Sequence, residues 1–269
     1  MDERDVLLLK SLCDGPLLVG NLPEGDCFPY EKLELPNESE PLNFRQKLGH
    51  LYEDVLALLL ERSPSFELLA KNLQLRQDAH TTVGELDFLV RDLTDGQLIH
   101  LELATKFYLA VETKNGLELP GPDARDNYFR KLQRLREHQL VLTKKYRECL
   151  PEEYREESIV VQQLIYGCLF NHVYAEGKTQ PEFINSRCRQ GRWLSIDQCA
   201  EFFSKDAEFR LIPKFLWPVP LDLLEGMELE SWTPDESMTR CVMVQVDGSL
   251  IPYFIAPAGY PEIRATPIC

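Results

Sequence analysis

No stretch of this chain approaches the roughly 20 consecutive apolar residues that a membrane-spanning helix needs, so no membrane partner is expected. The opening Met1-Asp2-Glu3-Arg4 has no basic region leading into an apolar run, and no secretory leader is expected there. None of the eight cysteines (Cys13, Cys27, Cys149, Cys168, Cys188, Cys199, Cys241 and Cys269) falls in C-x-x-C spacing. Their scatter argues against a zinc ribbon or a disulfide framework and predicts reduced thiols in the cytoplasm. Internal repeats and low-complexity tracts are missing too. Positive charge is in short supply: 29 Lys and Arg face 44 Asp and Glu, for a net charge of −15. A generally basic surface for gripping phosphates is thereby excluded.

What is there is enough for a globular core. The chain has 269 residues, 44% of them hydrophobic and 27% charged, as expected for one large domain or a core with an extension. Positive charge gathers in one place. Between Ala124 and Arg147 eight basic residues stand against two acidic ones. Arg130, Lys131 and Arg134 lie in this stripe and are the candidate nucleic-acid contacts.

The most informative stretch runs from Thr82 to Val111, TVGELDFLVRDLTDGQLIHLELATKFYLAV. It divides at Asp95-Gly96, and both halves alternate with period two, which predicts two strands of a hairpin. Leu86, Phe88 and Val90 share one face of the first strand, opposite Glu85, Asp87, Leu89 and Arg91. On the second, His100, Glu102, Ala104 and Lys106 lie opposite Leu101, Leu103, Thr105 and Phe107. With Asp95 and Gly96 at the centre of a two-residue turn, Asp87 falls opposite Ala104, with Glu102 and Lys106 on its diagonals. A turn one residue earlier sets Asp87 opposite Glu102. An even register is excluded because it would pair the apolar face with the polar one.

Two carboxylates then meet, with a lysine nearby. At about 4 Å and an effective dielectric near 20 they repel by roughly 4 kcal/mol. One acid can stay protonated, the lysine can pair with them, or a cation can bind between them. Mg²⁺, which usually takes only one or two protein carboxylates, suits such a pair. The plainer alternative is a structural ion pair on a half-exposed sheet face.

Gly84-Glu85-Leu86-Asp87-Phe88, a turn, and then Leu101-Glu102-Leu103 with Lys106 resemble the active-site hairpin of the PD-(D/E)XK nuclease superfamily. The resemblance implies an α/β restriction-endonuclease-like core, ordered helix, three-stranded meander, helix, strand. It implies Asp87 and Glu102 as ligands of Mg²⁺ or Mn²⁺ and Lys106 as the catalytic lysine. It further implies an acid from the helix before the first strand, for which Glu53 is the candidate. The lysine departs from the pattern, because Ala104 occupies the usual position and Lys106 lies roughly 7 Å further along the strand. Longer segments, among them LGHLYEDVLALLLE, LLAKNLQLR and GPDARDNYFRKLQRLREHQL, resemble a bacterial family of unknown function (DUF1853-like), itself nuclease-like. Gln139 lies in that family's pattern, and with Glu85 and His100 on the polar face it completes the candidate site.

The remainder is read from local signals. Residues 1–42 form a lead segment with a short helix over Asp5–Cys13. Residues 43–175 form the core, with Asn43 capping a helix to about Arg62, a strand Phe66–Ala70 that Asn72–Arg76 either continues or bends away from, the hairpin, a basic helix capped by Asp123, and a buried strand Ser158–Phe170. Residues 176–269 form a mixed C-terminal extension, starting with a loop through Lys178 and Thr179. It is expected to contain a short helix over Ser195–Phe203, an edge strand from Phe209 to Val219 and a hairpin about Asp247-Gly248. Trp193, Trp217 and Trp232 are either base-stacking residues or core. The expected function is metal-dependent phosphodiester cleavage in nucleic acid. The alternative is an inactive scaffold that binds nucleic acid or a protein partner.

Overall fold

A computed structural model describes residues 2–38, 41–177 and 180–262; Cys269 and the Lys178-Thr179 loop positions lie outside them. The chain divides into two compact units. One comprises Met1–Thr105, Leu132–Tyr166 and Phe183–Asn185, the other Lys106–Lys131, Gly167–Glu182 and Ser186–Cys269. The fold class is mixed α/β, with parallel and antiparallel strand pairs.

In the first unit, α1 (Glu3–Asp14) begins earlier than expected because Asp2 caps it: its carboxylate accepts from Arg4 N–H, and Asp5 accepts from Asp2 N–H. After the short β1 (Asp26–Cys27) comes α2 (Leu48–Glu61). Asn43 does not cap α2; it closes a local turn by accepting from Arg45 N–H, and Lys47 occupies the cap with no side-chain bond. Leu51, Tyr52, Val55, Leu56, Leu59 and Leu60 are buried, and α2 packs against α1 and against β2 (Phe66–Arg76).

Of the two courses open to Asn72–Arg76, the chain takes the continuing one: β2 runs through to Arg76, absorbing a bulge between Leu68 and Ala70. β3 (Thr82–Asp92) and β4 (Leu98–Leu109) follow. The order β2-β3-β4-β7 is antiparallel from β2 to β4, and β1 adds in parallel to β7 (Ile159–His172). Beneath the hairpin, Leu75, Leu86, Leu142 and Leu150 form a core cluster. Leu142 belongs to α4 (Leu142–Lys145).

The β3–β4 turn differs from the two-residue expectation. Asp92 N–H donates to Gln97 O at 2.9 Å, so Leu93–Gly96 form a four-residue loop. The Asp92 carboxylate accepts from Thr94 N–H and hydroxyl, and Gly96 takes the left-handed conformation at φ +77. These side-chain bonds close the longer loop and move the register one residue earlier.

In the second unit, β5 (Val111–Thr113) and β6 (Gly116–Glu118) make a small hairpin. α3 (Tyr128–Arg134) comes next, its residues up to Lys131 in this unit, capped by Asn127, which accepts from Phe129 N–H; Asp123 instead holds Arg125 in the preceding turn. The strand order is β7, β8 (Arg189–Ser195), β12 (Tyr253–Ala256), β11 (Val242–Val246), β9 (Phe209–Ile212), β10 (Glu230–Trp232), with α5 (Cys199–Phe202) after β8. β9 pairs with both β10 and β11, so it is not an edge strand; Pro213 simply ends it. Asp247 and Gly248, at φ +49 and +69, make the expected turn. Trp193 and Trp217 are core residues whose indole N–H groups donate to Ala110 O and Ile212 O, and Trp232 packs on Phe209. The Trp217 ring packs on Phe107 and Phe254 and is not presented to solvent for stacking on a base.

The seven described cysteines are free. No helix among the described residues is long and apolar enough to cross a membrane.

Candidate functional site

The ladder between β3 and β4 runs from Arg91↔Leu98 to Phe88↔Leu101 and then stops. One further step in this register sets Asp87 across from Glu102. There the backbone pairing is replaced by side chains: Leu103 N–H donates to Asp87 Oδ2 at 2.9 Å, and Asp87 N–H to Glu102 Oε1 at 3.4 Å. On the other side of β3, the β2 ladder passes over the same point. Asn72, between the pairs Lys71↔Phe88 and Leu73↔Leu86, adopts φ +53. Asp87 thus sits where regular pairing lapses toward both neighbours, leaving its carboxylate to satisfy the backbone.

Glu102 is 2% exposed and His100 fully buried. His100 Nε2 lies 2.8 Å from Glu102 Oε1, and Gln139 Nε2 donates to Oε2 at 2.7 Å. Gln139 ends a π-helical turn, Leu135–Gln139, in which Leu140 N–H reaches Leu135 O. The extra residue rotates the side chains beyond it by about 100° relative to an α-helix, and Gln139 is the side chain that turn delivers to Glu102.

Burial governs the charge states. It pushes Asp87 up to about 8, and the neighbouring Glu102 charge adds to the effect. Burial also pushes Glu102 up to about 8, against the Asp87 N–H and Gln139 hydrogen bonds, with Glu85 and Glu53 adding repulsion. The same burial lowers His100 to about 4, so its imidazole is neutral. When Glu102 is ionised, Nε2 of His100 carries the proton and donates. The buried Nδ1 has no hydrogen-bond partner among the described residues.

The other candidates are distributed more widely. Glu53, on α2, is close enough to raise both acids, but its carboxylate is bonded to His50 Nδ1 at 3.3 Å. Glu85 is exposed and accepts from Gln74. Lys106 belongs to the second unit; there its ammonium lies 4.0 Å from Asp126, and burial lowers its pKa. Arg130, Lys131 and Arg134 are exposed on α3, with Arg130 donating to Arg125 O. Asp126 as a partner for Lys106 has no sequence signal, since 20 residues separate them and no periodic pattern spans the intervening loops. The role of Leu103 is a backbone N–H, which no side-chain motif can report.

As a donor set, two buried carboxylates with hard oxygen ligands suit Mg²⁺ or Mn²⁺, which complete their shells with water. No group of three or more His, Cys, Asp and Glu gathers as metal ligands among the described residues, and a soft-metal site is not built here.

A family model described as a domain of unknown function (DUF1853) matches residues 30–256. The chain belongs to that family. No curated protein and no solved structure matches the chain. The DUF1853 match spans the whole carboxylate site, from α2 through Gln139, and continues to the end of β12.

Proposed function

We propose that this DUF1853 protein is a divalent-metal-dependent phosphodiesterase acting on nucleic acid, built on a restriction-endonuclease-like core. The observation that carries the reading is the buried Asp87–Glu102 pair at the point where the β3–β4 ladder opens, with no Lys or Arg among the described residues bonded to either carboxylate. With the small β5–β6 hairpin inserted after β4 and the short α4 after α3, the elements α2, β2, β3, β4, α3, β7 follow the order expected for such a core.

Asp87 and Glu102 would hold the cation, and Gln139 and His100 would keep the Glu102 carboxylate oriented. When bound, Mg²⁺ or Mn²⁺ supplies an acidified water and offsets the negative charge of phosphate. Lys106 would stabilise charge developing on the phosphate, and Arg130, Lys131 and Arg134 would hold the nucleic-acid backbone.

Calorimetric titration with Mn²⁺ tests the site. Wild type should bind one ion, and metal at about 100 times its dissociation constant should stabilise the fold by roughly 2.7 kcal/mol. Asp87→Ala should lose both effects. Identical melting of wild type and Asp87→Ala with and without metal would remove the metal site. A second reading, an inactive nucleic-acid-binding scaffold, is favoured by Lys106 lying against Asp126 and by Ala104 in the usual lysine position. Binding of nucleic acid without Mn²⁺-dependent cleavage would select it.

A further inference from the structure

The second unit contains a cavity of about 330 Å³ whose lining includes Glu112, His172, Tyr174 and Trp193, the rest being alanine and valine. None of these residues takes part in the carboxylate site. His172 packs on Trp193 with ring centres 4.6 Å apart at 71°, and on Tyr174 at 5.6 Å and 53°. Rings at such angles form the walls of a cage, not the parallel faces that would clamp a flat base.

The polar edges of two rings are already engaged. Trp193 N–H donates to Ala110 O at 2.8 Å. His172 Nε2 lies 3.1 Å from Gln198 Oε1, an oxygen that also accepts from Ser195 N–H. His172 Nδ1 in turn accepts from Tyr174 N–H at 3.4 Å. Both ring nitrogens of His172 are thereby engaged within the protein. Glu112 is exposed and forms no ion pair among the described residues. Among the described lining residues Glu112 is the one acidic side chain and there is no Lys or Arg, and the aromatic faces are themselves negative. An anion is disfavoured on both counts.

We propose that this cavity binds an organic cation of the trimethylammonium type, its head group against Tyr174, Trp193 and His172 and its charge offset by Glu112. The same head group is carried by free choline-like ions and by methylated lysine side chains, and the test uses both. Calorimetry on the full chain compares choline, its neutral isostere 3,3-dimethylbutan-1-ol, and a short peptide with one trimethyl-lysine.

One-site, saturable binding of choline is expected, with the alcohol at least about tenfold weaker. Glu112→Gln and Tyr174→Ala, both at exposed positions, should each weaken choline about two- to fivefold, the range for a single exposed cation–π or charge contact. Tighter binding of the peptide than of choline would assign the head group to methyl-lysine, and the reverse to a free ion. The proposal fails if the alcohol binds as tightly as choline, if neither choline nor the peptide saturates, or if Tyr174→Ala leaves choline binding unchanged. That last result would mark simple attraction to an acidic surface.

Discussion

At the scale of single residues, the carboxylates are held by contacts that do not neutralise them. Glu102 accepts hydrogen bonds from Gln139 and Asp87 N–H, yet burial still drives both acids up to about 8. The resulting proton linkage has a definite sign. Folded, Asp87 and Glu102 keep protons up to about pH 8, whereas unfolded they release them near 3.8 and 4.5. Between those limits the native chain binds more protons, and stability falls as pH rises. His100 acts the other way. Its value of about 4 in the fold, against 6.5 unfolded, makes stability fall as pH drops through that window. Below 6.5 the histidine offsets part of the carboxylate effect; above 6.5 the carboxylates act alone up to about 8. Urea unfolding of metal-free protein should therefore show its steepest loss of stability between pH 6.5 and 8. Asp87→Asn should flatten that slope, and an unchanged slope would mean that the acids titrate normally.

At the scale of elements, two close approaches set where strands and helices lie, and they differ in kind. Gly167, in β7, has φ +148, and a Cβ built there would stand 1.6 Å from Lys106 O in β4. The obstacle is backbone, and the conformation itself is one that L-residues avoid. Gly84, in β3, would place a Cβ 2.5 Å from Leu142 Cδ2, the end of a flexible side chain. Gly167→Ala should cost about 3 kcal/mol or more, among the larger effects of single substitutions. Gly84→Ala should cost about 1–3 kcal/mol, the usual range for overpacking. Adding Leu142→Val should recover part of the Gly84→Ala loss, because the two sites share one contact. No side-chain change can relieve Gly167. Chemical denaturation of the two variants distinguishes these expectations, and equal costs would contradict the geometry.

At the scale of the whole molecule, a net charge of −15 opposes any polyanion, so nucleic-acid contact must be local. Arg130, Lys131 and Arg134 are exposed along one short helix. If they contact duplex phosphates, each contributes about 0.9 to the slope of log affinity against log salt. Replacing all three by Gln should lower that slope by about 2.7 and weaken binding for every sequence alike. A triple variant that binds with wild-type affinity and salt dependence would place any nucleic-acid surface elsewhere.

The amino-acid sequence by itself determined that Asp87 and Glu102 would be neighbours. Apolar alternation along Thr82–Val111 leaves only odd registers, because an even one exposes a buried face to a polar one. It likewise determined the helices and strands whose periodicity is strong, such as α2 and β7, and the Asp247-Gly248 turn. Only the tertiary structure decided that Gln139 reaches Glu102 through a π-helical turn and that Lys106 stands by Asp126. It also decided that the hairpin loop has four residues, not two. The physical reason is range. Register parity comes from burial summed over a whole strand, while a turn type, an extra helical residue or a distant charge partner depends on a few contacts that nothing periodic records.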